Sequence, residues 1–226
     1  MKLAVLFSGG KDSTYALYKA MQKNEIKYLV TIFPESQGSW MFHHPCIELT
    51  KLQAEALGIE QITEKTKGEK ERELEDLRNV LSRIKNEIEG VVSGAVTSNY
   101  QKTRIDGICK ELNLETLAPL WQREPEELLR EEAESGFDII MTGVSSDGFD
   151  KAWIGRRLDQ KAIEDLKKLN QKFGVNICGE GGEYESLVLD CPAFSKKIKI
   201  LDSEKVWDEK TSSGYLLVKK AILVDK

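Results

Sequence analysis

Residues 7–14 read FSGGKDST, and the segments on either side of this stretch decide the fold. Upstream, Leu3-Ala4-Val5-Leu6-Phe7 is an apolar run of strand length. Downstream, Ala16, Leu17, Ala20 and Met21 fall on one face of a helical pattern. Strand, glycine turn and helix together make a place where backbone amides converge on an anion. Gly9 and Gly10 allow close approach because no Cβ intervenes. The helix then aims its first N–H groups and its positive end at the same point. Lys11 adds a point charge, Ser8 and Ser13 add hydroxyl donors, and Asp12 is suited to a metal ion already bound to phosphate.

The Walker A pattern GxxxxGK[ST] is absent from the chain. SGGKDS (residues 8–13) instead resembles the PP-loop of the ATP pyrophosphatases, without a gap and directly after a first strand. That resemblance implies cleavage of ATP between the α and β phosphates.

Outward from the loop, strand and helix patterns alternate. Tyr28 to Phe33 (YLVTIF) is a second buried strand, and a loop runs from Pro34 to Pro45. A helix carrying Ile47, Leu49, Leu52 and Leu57 ends at Gly58, followed by a third strand over Ile59 to Ile62. Leu74, Leu77, Leu81, Ile84 and Ile88 recur at helical spacing. Val91 to Val96 (VVSGAV) reads as a fourth strand, Ser98 to Leu112 as a helix, and Leu117 to Leu120 as a fifth strand. This repetition predicts an α/β fold, a parallel sheet with helices on both faces and ligands at the strands' carboxyl ends.

The alternation changes character near 120–125, so the expected domains are 1–122, binding nucleotide, and 123–226, a smaller mixed α+β domain for substrate. The second region reads as helix (Pro125 to Ser135), strand (Asp138 to Gly143) and helix (Asp159 to Phe173). Ser186 to Leu189, Lys197 to Leu201, Lys205 to Trp207 and Tyr215 to Val224 then read as an antiparallel meander.

Three further stretches carry candidate chemistry. Gly179 to Ser186 reads GEGGEYES and gathers Glu180, Glu183 and Glu185 around Gly181 and Gly182. Three carboxylates so close need a cation or hydrogen-bond donors to balance them. If a strand begins after Gly182, Glu183 and Glu185 share a face. Asn99, Tyr100, Gln101 and Arg104 follow the VVSGAV strand, with Gln101 and Arg104 three apart on one helical face and placed to grip a carboxylate or phosphate. In Met41-Phe42-His43-His44-Pro45 the adjacent histidines point apart, so one of them, His43 being the candidate, is assigned to nucleotide or substrate and not to a shared metal.

Composition narrows the classes. A net charge of −5 supplies no basic field for nucleic acid. The four cysteines are widely spaced with no CxxC pair, which argues against zinc and redox chemistry. Met1-Lys2 leads directly into a strand pattern, and no apolar run reaches membrane-spanning length, so a cytoplasmic protein without membrane contact is expected. A homodimer is compatible with the sequence, though no residue argues for it.

SGGKDS, MFHHP, GAVTSNYQKTR, Pro119-Leu120-Trp121 and GEGGEYES, in this order, resemble the diphthine–ammonia ligase family across nearly the whole chain. Its members join a PP-loop domain of the adenine nucleotide alpha hydrolase-like (HUP) fold to a C-terminal domain with an EGGE(Y/F)E(T/S) signature. Departures are mild: His44 and Cys46 flank Pro45 where Thr and Asn are more usual, and Ser186 stands where Thr is common. The end at residue 226 fits the short archaeal-type form.

The resemblance implies ATP-dependent conversion of the diphthine carboxylate on translation elongation factor 2 to an amide, with ATP and Mg2+ at Ser8, Gly9, Gly10, Lys11, Asp12 and Ser13. Asp12 is the magnesium candidate, and Thr31 with nearby backbone the adenine reader. Glu180, Glu183 and Glu185 would balance diphthine's trimethylammonium group, Tyr100 or Trp121 would face it through the ring, and Gln101 or Arg104 would orient the carboxylate. Free ammonium is the expected nitrogen donor, since no glutaminase segment is recognisable. Two rivals remain at this point: a PP-loop enzyme acting on tRNA, and a nucleotide-binding module without catalysis.

Overall fold

In the computed structural model, which describes residues 1–34, 46–66 and 72–226, the N-terminal apolar run becomes β1 (Lys2–Leu6) and the pattern after the glycines becomes α1 (Lys11–Met21). Next come β2 (Glu25–Pro34), α2 (Thr50–Leu57), β3 (Glu60–Thr66), α3 (Arg72–Ile84), β4 (Gly90–Val92), α4 (Asn99–Glu111) and β5 (Glu115–Leu117). Then follow α5 (Pro125–Glu134), β6 (Asp138–Ser145), α6 (Gln160–Phe173), β7 (Tyr184–Asp190), β8 (Lys197–Asp208) and β9 (Ser213–Val224). Among the described residues no helix is long and apolar enough to cross a membrane. The chain divides into two compact units. One gathers Met1–Ser8, Asp12–His43 and Gly58–Gln122, and the other gathers Gly9–Lys11, His44–Leu57 and Arg123–Lys226.

The first unit is built on a parallel sheet of order β3-β2-β1-β4-β5. Strand order reverses between β1 and β4, the position where open α/β sheets leave a crevice for ligands. Ala4, Tyr28, Val30, Ile32 and Val91 line one face and are covered by Leu77, Val80, Leu81 and Ile84 of α3 and by Ile105, Ile108 and Cys109 of α4. The helical spacing in α3 therefore serves the sheet. Its expected last member, Ile88, lies beyond the helix end but is still buried in this core.

Two strands are shorter than their sequence patterns. The VVSGAV ladder stops at Val92, where the pairing with β1 and β5 ends. Gly94 gives the reason: a Cβ there would lie 2.8 Å from the carbonyl carbon of Asp12 and the nitrogen of Ser13. The chain leaves the ladder to pass directly against the start of α1. β5 correspondingly occupies 115–117 and not 117–120.

The second unit contains an antiparallel sheet of order β7-β6-β9-β8. It is not a meander, because β6 separates β7 from β9 and, among the described residues, β8 pairs only with β9. The two strands expected at 197–201 and 205–207 form one strand of 12 residues, with irregular pairing between Ile200 and Ser203 absorbing the Asp202-Ser203 interruption. α6 starts at an Asp159 cap that accepts from Ala162 N at 2.8 Å, stops at Gly174 with φ 73°, and buries Ala162, Ile163 and Leu166.

Candidate functional site

Within the second unit, the glycine loop is fastened to β7. Lys11 N donates to Ser186 Oγ at 3.1 Å, and Val188 N donates to Gly9 O at 3.1 Å. Gln53 of α2 closes the joint: its buried Nε2 donates to Gly9 O at 2.9 Å and to Val188 O at 2.8 Å. Gly9 has a φ of 78°, and a Cβ on it would lie 2.2 Å from Gln53 Oε1. Glycine is required here twice over, for conformation and for space.

The Lys11 side chain is 1% exposed, and its Nζ lies 4.0 Å from Oε2 of Glu132, which is fully buried on α5. The Tyr184 ring centroid is 6.0 Å from the same Nζ. Tyr184 is itself held, since its hydroxyl donates to Ile177 O at 2.7 Å and its ring meets Phe149 edge-on at 6.3 Å. Phe149 in turn packs edge-on against Trp153 at 5.1 Å.

The first unit holds the rest of the loop. Ser8 N lies 3.3 Å from Ser13 Oγ, its acceptor, and the two hydroxyls are 3.1 Å apart. Asp12 stands in the first turn of α1, where the helix end favours a negative group. The Thr31 hydroxyl, expected near adenine, donates to Phe7 O at 2.8 Å and accepts from Gln61 at 2.8 Å, so it joins neighbouring strands of the sheet. At α4, Ser98 caps the helix through the Gln101 amide at 3.4 Å, and Asn99 is exposed at its first position. The Arg104 guanidinium lies over the Tyr100 ring at 3.5 Å, and Lys102 faces Trp121 at 5.5 Å. Tyr100 and Arg104 thus form one stacked pair, whereas Gln101 contributes its backbone to the cap.

GEGGEYES is arranged differently from its sequence pattern. β7 begins at Tyr184, one residue later than a shared face for Glu183 and Glu185 requires. The Glu183 carboxylate turns back, accepting from Asn176 N at 3.0 Å and Gly181 N at 2.8 Å. It clamps the turn in which Gly182 N donates to Gly179 O at 3.0 Å. Glu180 and Glu185 are half-buried, the latter opposite Gly143 of β6. His43 lies outside the described residues.

A model of the diphthamide synthase N-terminal domain matches residues 1–116, and one of the diphthamide synthase C-terminal domain matches residues 124–224. The chain belongs to the diphthine–ammonia ligase family. The human diphthine–ammonia ligase is 38% identical over 231 residues, covering 91% of this chain and 85% of that protein. The Schizosaccharomyces pombe diphthine–ammonia ligase is 34% identical over 241 residues, covering 98% of this chain but 40% of its own length. A solved structure titled a predicted subunit of tRNA methyltransferase, from Methanocaldococcus jannaschii, overlaps 85% of this chain and 98% of its own at 18% identity. Its TM-score is 0.47, a loose likeness that bears no functional weight.

Neither the sequence patterns nor the family motifs pointed to Gln53 or Glu132. Gly94 and Tyr184 stood inside GAVTSNYQKTR and GEGGEYES without a role of their own. Three cysteines are held as thiols: burial pushes Cys109 up to about 12 and Cys46 and Cys191 up to about 11. Among the described residues no group of three or more His, Cys, Asp or Glu side chains could hold a metal ion.

Proposed function

We propose that this ligase converts the diphthine carboxylate of translation elongation factor 2 to its amide, using ATP and ammonium and releasing AMP and pyrophosphate. The observation that supports it most directly is the joint at Lys11. The backbone of the phosphate-loop lysine is bonded to Ser186 of the acidic signature, so the ATP motif and the family's second motif meet in one local arrangement.

A carboxylate is a poor acyl donor. Its oxygen attacks the α-phosphorus, the α–β bridging bond breaks, and the electron pair leaves with pyrophosphate. Ser8, Gly9, Gly10, Lys11 and Ser13 stabilise the charge that accumulates on the leaving group. Ammonia, formed when ammonium loses a proton, then attacks the acyl carbon and AMP departs.

Asp12 and the Ser13 hydroxyl are hard oxygen donors beside the loop, a set that suits Mg2+. With no protein cluster of three acidic or metal-ligating residues among those described, Asp12 would share the ion with the nucleotide's phosphates. The ion when bound would neutralise phosphate charge. The Thr31 hydroxyl is engaged in the sheet, so adenine recognition falls to nearby backbone.

Arg104, held flat by Tyr100, orients the substrate carboxylate, with Asn99 and Gln101 at the same helix start. Glu180 and Glu185 face the trimethylammonium group, while Glu183 shapes their turn. His43 keeps its assignment to nucleotide or substrate. The protein acts in the cytoplasm, where elongation factors work.

The test is incubation with ATP, Mg2+, ammonium and diphthine-bearing elongation factor. AMP and pyrophosphate formation that depends on the factor supports the reading, whereas ADP, or AMP formed equally with tRNA, sinks it.

A further inference from the structure

Glu132 entered no sequence reading of the site, and its surroundings differ from those of the carboxylates that did. Glu180, Glu183 and Glu185 are all partly exposed, whereas Glu132 is fully buried, three and four residues beyond the core positions Leu129 and Leu128 of α5. Its oxygen lies 4.0 Å from the ammonium of Lys11, itself 1% exposed. That distance exceeds hydrogen-bond length, so the carboxylate acts on the ammonium through its field. A carboxylate and an ammonium this deep each offset part of the other's lost hydration.

Lys11 is also the group the loop presents to phosphate. An anion arriving there is attracted by the ammonium and repelled by the carboxylate behind it. For unit charges several ångströms apart near a protein surface, that repulsion changes anion affinity by on the order of tenfold or more.

We propose that Glu132 is a positioning residue acting through Lys11. It holds the ammonium in the loop before ATP arrives, and it weakens the loop's grip on pyrophosphate after cleavage. The role in release rests on the ATP-cleaving function proposed above.

The experiment compares the full chain with Glu132→Gln by calorimetric titration with pyrophosphate and with ATP, and by steady-state turnover. The expected result is pyrophosphate bound about tenfold more tightly by Glu132→Gln, with kcat reduced because product leaves slowly. Glu132→Asp, which keeps the charge, should bind pyrophosphate as the parent chain does. A purely structural Glu132 gives equal or weaker pyrophosphate binding in a folded Glu132→Gln protein, and that result overturns the proposal.

Glu132→Gln takes a counter-charge away from a buried ammonium, so the double variant Lys11→Met/Glu132→Gln guards against loss of folding. It should regain the thermal stability that the single variant loses. No recovery means the carboxylate serves something other than Lys11, and overturns the pairing. If the parent chain binds neither ATP nor pyrophosphate, the proposed function and the role in release both fail, and the stability cycle alone judges the pair.

Discussion

Gly9-Gly10 and Gly181-Gly182 are both double-glycine turns followed by a charged residue, yet they are held in opposite ways. Partners distant in sequence grip the first: Val188 N and Gln53 Nε2 both bind Gly9 O, and Ser186 receives Lys11 N. The second is clamped by its own motif, with Glu183 accepting from Gly181 and Asn176. A turn secured from outside keeps its own side chains for chemistry. A turn that secures itself consumes one of the carboxylates that made it conspicuous. Counting acidic residues therefore overstates what the second turn can offer a cationic substrate.

The largest effect that would sharpen this contrast is at Lys11. Lys11→Met should lower kcat/KM for AMP formation by about 100-fold or more, because it removes a charge aimed at the leaving group. A drop of less than tenfold would break the assignment. Gly9→Ala comes next, since it forces a φ of 78° on a side-chain-bearing residue and places a methyl against Gln53. It should cost about 2–4 kcal/mol in denaturant unfolding and abolish ATP binding.

Gln53→Leu removes both donated bonds at once while retaining bulk. A loss of about 1–3 kcal/mol is expected, with KM for ATP raised more than kcat is lowered. Glu183→Gln, at the self-held turn, should cost only about 1 kcal/mol and leave ATP binding intact. Glu185→Gln should instead raise KM for the modified elongation factor. If Glu183→Gln weakened ATP binding more than Gln53→Leu did, the distinction between the two turns would collapse.

The smallest effect is a pH control on α6. Hydrogen bonds from Lys168 and Arg156 hold the half-buried Asp165 carboxyl down at about 2, below its ordinary 3.8. A depressed folded value means this contribution is complete above the ordinary value and is lost as pH falls through about 2. Asp165→Asn should flatten the fall in melting temperature over that acid range by a small amount and leave turnover near neutrality unchanged.

The legible parts were those encoded locally. β1, the loop and α1 follow from one apolar run, two glycines and a helical stripe, and α3 follows from leucines at helical spacing. Pairing order has no such signature, which is why β6 between β7 and β9 appears only in three dimensions. The early end of β4 depends on how closely Gly94 approaches Asp12 and Ser13, a contact between segments some 80 residues apart in sequence. Glu132 was hidden for another reason. PEELLREEAE carries charge at most positions, so its one fully buried carboxylate looks like the solvated ones around it. Gln53 likewise reads as an ordinary polar residue in TKLQAEAL until its two carbonyl partners are placed.

β7 ends its sheet, and the outward N–H and C=O of Val188 are the very groups taken up by Gly9 and Gln53. An uncovered strand edge is a template for pairing with another chain. The glycine loop is thus also the cap that keeps this edge from self-association. A variant that loosens the loop should reveal itself first as concentration-dependent aggregation, before its secondary structure changes.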